Sequence, residues 1–214
     1  MKMIHPDIPN DLTAIADVSN LLRSDDKIYA INLSDFDMKG CRLKGTIIEE
    51  SRICKTNFSD VHIEKFGSKD CIFKDCNFTA SNFADSGWDS IEIINTRCSG
   101  TQMQNSVLRN VLFKSCKIEL VNFRFSKLEN VIFKDCVIND ADFYNATLKN
   151  IEFINCDIEK IAFFGAKLKS VDLTASRIIS VNGVDGLKGA TINYEQLITL
   201  APYFAQAIGI VVKD

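Results

Sequence analysis

The chain has 214 residues, 46% hydrophobic and 25% charged, with 25 basic against 28 acidic side chains for a net charge of −3. That balance suits a water-soluble protein with a sizeable core in one or two domains. No apolar run approaches the ~18 residues of a membrane span, and two histidines leave little for metal or acid–base chemistry.

Residues 1–10 carry Lys2, His5, Pro6, Asp7 and Pro9, which is not the charged-then-apolar layout of a secretion signal, so a cytoplasmic location is expected. After Pro9, Asn10 or Asp11 suits a helix N-cap. Leu12, Ile15, Val18 and Leu22 then fall on one helical face. The spacing predicts a short amphipathic helix over residues 11–23, inside an N-terminal capping segment 1–30.

From residue 31 the chain is periodic in fives. Every residue from Leu33 to Ile178 whose number leaves a remainder of three on division by five is apolar or nearly so: among these thirty positions Ser68 alone is clearly polar. A second column, two residues earlier, is small or β-branched and includes Cys71, Cys76, Ser81, Val111, Cys116, Val121, Ser126, Cys136, Ala141 and Cys156. Period five fits neither the 3.6 of a helix nor the 2 of a strand. It fits a backbone that turns a corner every five residues and closes a four-sided coil every twenty.

The longer period is visible directly. Phe113, Phe133 and Phe153 recur at twenty, as do Ile118, Ile138 and Ile158, then Phe123, Phe143 and Phe163, then Leu128, Leu148 and Leu168. These twelve residues are the expected core ladder. The thirty positions make 7.5 coils, a rod of roughly 36 Å at ~4.8 Å per coil. Pro6, Pro9 and Pro202 all lie outside it, because proline lacks the N–H that coil-to-coil hydrogen bonding needs.

The eight cysteines include no Cys-x-x-Cys pair and no neighbouring histidine, so neither a metal site nor a cofactor is expected. Six of them fall in the small inward column, where a thiol acts as a small hydrophobe. His62 lies between the Val61 and Ile63 columns and is expected to face outward. No Ser-His-Asp set, glycine-rich phosphate loop or paired catalytic carboxylates stand out, so enzymatic activity is not expected. Residues 31–180 hold twenty basic and twenty acidic side chains, which argues against a simple polyanion. One stripe of cations stands out on the Leu108–Leu168 side: Arg109, Lys127, Lys149, Lys167 and Lys169. A solvated face is its ordinary reading, and direct nucleic-acid binding is not expected.

Beyond residue 183, Leu197, Leu200, Phe204 and Ile208 are spaced for a helix that covers the last coil. Pro202 interrupts it, so either the helix kinks or two short helices meet. Gly209 should end it, and Ile210-Val211-Val212 could add an edge strand.

The segments Cys76-Asn77-Phe78, Ser81-Asn82-Phe83, Val121-Asn122-Phe123 and Ala141-Asp142-Phe143 resemble the tandem motif of the pentapeptide-repeat family. The resemblance implies a right-handed quadrilateral β-helix over residues 31–183, with short helical caps at 1–30 and 184–214. The C-terminal segments Gly186-Leu187-Lys188-Gly189-Ala190, Tyr194-Glu195-Gln196-Leu197 and Ile208-Gly209-Ile210-Val211 resemble the end of quinolone-resistance (Qnr-type) members. Those proteins bind type II topoisomerases, DNA gyrase and topoisomerase IV, and are thought to imitate duplex DNA. The likeness implies a non-enzymatic protein that competes with DNA on such an enzyme, giving inhibition or quinolone protection. It also implies a homodimer through Leu197, Leu200, Phe204, Ile208 and Ile210. Many Qnr-type proteins interrupt the coil with loops, for which the unbroken register here leaves no room. The other reading open at this point is a scaffold that binds an unrelated cytoplasmic protein.

Overall fold

The computed structural model describes residues 3–15 and 27–212. They form a parallel β-solenoid of about eight turns closed by one C-terminal helix. Through the regular coils strand partners are twenty residues apart: Val111 pairs with Ile91 and Val131, and Phe133 with Phe113 and Phe153. The same step carries Asn32 to Arg52, Ile72, Glu92, Leu112, Ile132, Glu152 and Asp172. At the C-terminal end the register slips by one, Ile154 pairing with Ala175 and Val171 with Ala190.

A second column of residues makes this geometry possible. All twenty-nine residues from 30 to 170 whose number is a multiple of five have left-handed backbone, with φ between 46° and 71°. One such residue per repeat reverses the chain's direction enough to start the next side. Eighteen of them are Gly, Asn or Asp, the residues that adopt this conformation at least cost. The corner residues also link coils: the amide of Asn130 donates to Asn110, that of Asn150 to Asn130, and that of Asn155 to Asp135.

Between corners, the two inward columns fill the axis and the other three positions face out. Phe113, Phe133 and Phe153 stack with ring centroids 5.0 and 4.9 Å apart and planes within 10°. Phe123, Phe143 and Phe163 stack likewise on another side. Ile118, Ile138, Ile158, Leu128 and Leu148 are fully buried, whereas Leu168 on the last regular rung is half-buried. Lower in the rod the core is packed differently. Phe58, Phe66, Phe73, Phe78, Phe83 and Trp88 meet edge-on or tilted rather than as parallel ladders.

The buried hydroxyls and thiols of the small column have a shared partner. Ser126, Thr101, Cys71, Cys116, Cys136 and Cys156 each donate to the carbonyl twenty-three residues earlier, in the coil below. They are small enough to let the corner close, and they satisfy a second lone pair of the inward side's carbonyl.

The ends depart from expectation. In the predicted N-terminal helix, Asp11–Ile15 is not helical: Thr13–Ala14 is a strand paired in parallel with Ile31 and Asn32. The edge of the first coil offers unpaired backbone groups, and two residues of strand satisfy them. The remainder of the predicted helix, residues 16–23, lies outside the described residues. At the other end a short 3₁₀ turn, Val184–Leu187, packs against the last coil. There Gly186 is required by close approach, since a Cβ would stand 1.9 Å from the Phe163 carbonyl oxygen.

The C-terminal helix α1 (Tyr194–Ala207) is continuous through Pro202. Proline removes the one hydrogen bond to the Ile198 carbonyl, and on this exposed side of the helix water can replace it. The helix is not split in two at Pro202, no edge strand forms at Ile210–Val212, and residues 209–212 have no regular structure.

Candidate functional site

The residues with chemical potential are best taken by side of the coil. Among the described residues no group of three or more His, Cys, Asp or Glu side chains is placed to hold a metal ion. All eight cysteines are free thiols. Burial raises the thiol of Cys71 to about 11 and that of Cys76 to about 12. Cys136 is pushed up to about 12, first by its hydrogen-bonded neighbour Cys116 and then by burial. Thiols held protonated in this way are poor nucleophiles and poor metal ligands.

His62 is half-buried on the outer surface, its Nε2 3.9 Å from Glu64 Oε1. His5 is exposed, and its Nδ1 lies 2.8 Å from Glu92 Oε1, so the N-terminal segment runs along the outside of the coil. Asp7 continues that contact, its backbone N–H donating to Asp70.

The five cations of the candidate stripe occupy one side, in two adjacent columns. Arg109, Lys149 and Lys169 share a column with Glu129, while Lys127 and Lys167 share the next one with Thr147. The column is not purely cationic, because Lys149 Nζ bonds Glu129 Oε1. That contact holds the Glu129 carboxyl below its ordinary value.

The candidate C-terminal residues are divided between covered and exposed positions on α1 and on the segment that follows it. Leu200 is fully buried and Phe204 half-buried against the last coil. Leu197, Ile208 and Ile210 are exposed, together with Ile198, Val211 and Val212. Helical spacing places all of these on α1 or its extension, but only the packed structure says which of them the coil covers.

Two residues essential to the cap escape that spacing. Asn193 accepts from the Gln196 backbone N–H, and Gln196 accepts in return from the Asn193 N–H, both at 2.8 Å. Buried Gln196 also donates its amide to the carbonyls of Leu173 and Ser176 at 2.6 Å, tying the helix to the open end of the last coil. The signal available in the chain was the Asn-x-x-Gln pattern of a capping box.

This arrangement of left-handed corners at every fifth residue, with stacked inward columns, agrees with the family comparison. The pentapeptide repeat region matches residues 66–143 and 110–182, together more than half of the chain. The chain belongs to the pentapeptide-repeat family. No curated protein matches it. Solved structures similar to this pentapeptide-repeat protein include full-length QnrB1, a plasmid-mediated fluoroquinolone resistance protein. It is 18% identical over 86% of this chain and 100% of its own, with a TM-score of 0.49. Another is HetL, a pentapeptide repeat protein involved in heterocyst differentiation regulation from the cyanobacterium Nostoc sp. strain PCC 7120. It is 13% identical over 73% of this chain and 75% of its own, with a TM-score of 0.29. The tailspike protein gp49 of Acinetobacter baumannii bacteriophage Fri1, a capsular polysaccharide depolymerase, is 11% identical over 80% of this chain and 38% of its own, with a TM-score of 0.46. No helix among the described residues is long and apolar enough to cross a membrane.

Proposed function

We propose that this pentapeptide-repeat protein is a non-enzymatic, cytoplasmic binding protein that docks on a type II topoisomerase as a dimer of rods. The observation that carries the reading is the apolar surface left exposed on α1 and on the residues just after it. Leu200, Phe204 and Gln196 already cover the last coil, yet Leu197, Ile198, Ile208, Ile210, Val211 and Val212 remain exposed beside them. A cap alone needs only the inner face. An apolar outer face at a rod's end suits a symmetric joint with a second copy, whose two-fold axis would align the rods end to end. The C-terminal residues that resemble Qnr-type proteins are the ones forming this end, and the topoisomerase target rests on that resemblance. A gyrase supercoiling and cleavage titration, with and without a quinolone, tests the target. Supercoiling or cleavage changing with added protein is the expected result; no effect in either arm removes the reading. Light scattering on the wild type and on Ile208→Asp tests the joint, with a dimer expected only for the wild type.

A second reading is favoured by the charge of the rod. Acidic residues match basic ones over 31–180, and the cationic side is partly neutralised by Glu129. A competitor for a DNA-binding saddle gains from negative charge, so a scaffold for an unrelated cytoplasmic protein also fits. Recovery of such a protein and no topoisomerase from the native cytoplasm would select it.

A further inference from the structure

One outward column of the rod alternates in charge. Glu49, Lys69, Asp89, Arg109, Glu129 and Lys149 are successive register partners, one to a coil. No other outward column alternates over even four coils. Opposite charges one coil apart steady a sheet when they bond each other, but within this column only Lys149 and Glu129 do. Glu49 bonds Lys27 and Lys69 bonds Asp70, both off the column. At the centre, Asp89 accepts from the neutral Asn110 amide and Ser90 hydroxyl. Exposed Arg109 forms no hydrogen bond or ion pair with another described residue. Its pull reaches Glu129, which Lys149 already holds. The two middle charges thus lack an ion-pair partner among the described residues.

Beside this column the wall of the rod is hollowed. Gly67 and Gly87 are consecutive in the next outward column, between Ile47 and Val107. They leave a depression of about 230 Å³ from Ile47 to Val107. A Cβ on Gly67 would meet Ile47 at an ordinary 3.4 Å, and one on Gly87 would meet nothing within 4 Å. Neither glycine has left-handed backbone. Glycine weakens a strand, and where the fold does not need it, it marks a close approach by another molecule. The depression is smaller than the roughly 300–1,000 Å³ of a small-molecule site.

We propose that this side of the rod is a contact with a second copy of the chain, packed antiparallel about a two-fold axis between the coils of Asp89 and Arg109. A two-fold in the plane of the contact keeps each column opposite itself and reverses the order of its coils. Asp89 then faces the partner's Arg109, Lys69 the partner's Glu129, and Glu49 the partner's Lys149. Every charge meets its opposite, and symmetry makes each pair twice. In the hollowed column Gly87 faces the partner's Val107, and Gly67 faces the stem of the partner's Lys127. A parallel pair would instead lay the charged column on the hollowed one. A nucleic-acid backbone fits poorly, because Glu49, Asp89 and Glu129 would each face phosphate. The strip from Glu49 to Lys149 is roughly 24 Å long at ~4.8 Å per coil, too small for the ~800 Å² per partner of a standard interface. The pairing is therefore weak and salt-sensitive, and dilute protein stays free of it. It is separate from the apolar joint at α1 and needs no topoisomerase.

The test is sedimentation equilibrium of the full-length chain carrying Ile208→Asp, which disables the joint at α1, from about 20 to about 500 μM in about 0.05 M salt. The average mass is expected to climb toward that of a pair, and association to weaken about tenfold in about 0.5 M salt. Asp89→Arg sets arginine against the partner's Arg109, and Arg109→Asp sets aspartate against the partner's Asp89. Each variant alone is expected to associate about tenfold more weakly, and an equimolar mixture of the two to regain the parent's strength. Mixing leaves every contact within each chain as it was, so the recovery reads only contacts between chains. Gly87→Ile, which has room within its own chain, is expected to keep its melting temperature and lose the pairing. No concentration dependence in the parent, single variants that associate as it does, or a mixture no stronger than either alone overturns the proposal. Pairing that survives Gly87→Ile overturns it too, as does a lowered melting temperature, since the glycine would then serve the fold.

Discussion

Ser68 and Trp88 are register partners one coil apart, and the small side chain of the first makes room for the indole of the second. Both are buried, at 5% and 2% exposure. Trp88 is tilted or edge-on to Phe66, Phe73 and Phe83 and donates its Nε1–H to Ser86 Oγ at 2.7 Å. The Ser68 hydroxyl has no hydrogen-bond partner. The single polar residue in the larger-residue inward column is therefore a matter of volume, and the strand Gly67–Lys74 runs through it without loss of register.

Ser68→Ala is accordingly expected to be neutral or to stabilise, by up to about 1 kcal/mol, because it removes an unsatisfied buried hydroxyl and little volume. Ser68→Leu restores the column's usual residue but overpacks the indole, at a cost of about 1–3 kcal/mol. Urea denaturation of both variants measures this, and adding Trp88→Leu to Ser68→Leu should recover part of the loss.

Phe133 stands between Phe113 and Phe153 with no exposed surface. Truncation to Ala opens a cavity in the middle of a ladder, where neither neighbour can collapse without leaving its own coil. A loss of about 3–5 kcal/mol is expected, against a smaller one for Phe133→Leu. Equilibrium unfolding of the two variants should show that order.

Gln196 joins the N-terminus of α1 to two carbonyls of the last coil. Gln196→Ala leaves those carbonyls and the Asn193 N–H unpaired, with an expected cost of about 1–3 kcal/mol. The loss should be local, so hydrogen exchange should speed up in α1 and in 171–178 while the coils around Phe133 keep their protection.

The buried thiols set a limit at high pH. Cys71 and Cys76 are raised from 9.0 to about 11 and about 12 by burial. The folded state thus holds these protons more tightly than the unfolded one. Their stabilising contribution is complete below pH 9 and is lost as pH climbs through the folded values. Urea midpoints are expected to be flat from pH 7 to 8.5 and to fall from pH 9 to 11. At pH 8, alkylation followed by mass spectrometry should modify half-buried Cys41 and Cys54 before the six buried thiols.

Much of this was readable in the chain because a solenoid's neighbours are set by sequence separation. With the regular coils twenty residues long, the stacking of Phe123 on Phe143, or the burial of Ile138, follows from counting. The outward side of each cation in the Arg109–Lys169 stripe follows in the same way. The left-handed corner column was equally present in the Gly, Asn and Asp at multiples of five. It is easy to pass over because Lys55, Lys160 and Phe125 share it, tolerated where neighbouring coils hold the backbone.

Where the count of five stops, local pattern lost its authority. Helical periodicity favoured a helix at 11–15, but the open strand edge at Ile31–Asn32 claimed Thr13 and Ala14 instead, since unpaired backbone there costs more than a short helix returns. Pro202 suggested a break in α1, yet packing of Leu200 and Phe204 on the last coil keeps one helix through it. The amino-acid order by itself determined the coil, its register and its core, because identical repeats need only their own kind as neighbours. Only the tertiary structure decided which apolar side chains at the C-terminal end stay in water, at Leu197 and Ile208 against buried Leu200, because exposure there depends on what the last coil is packed against.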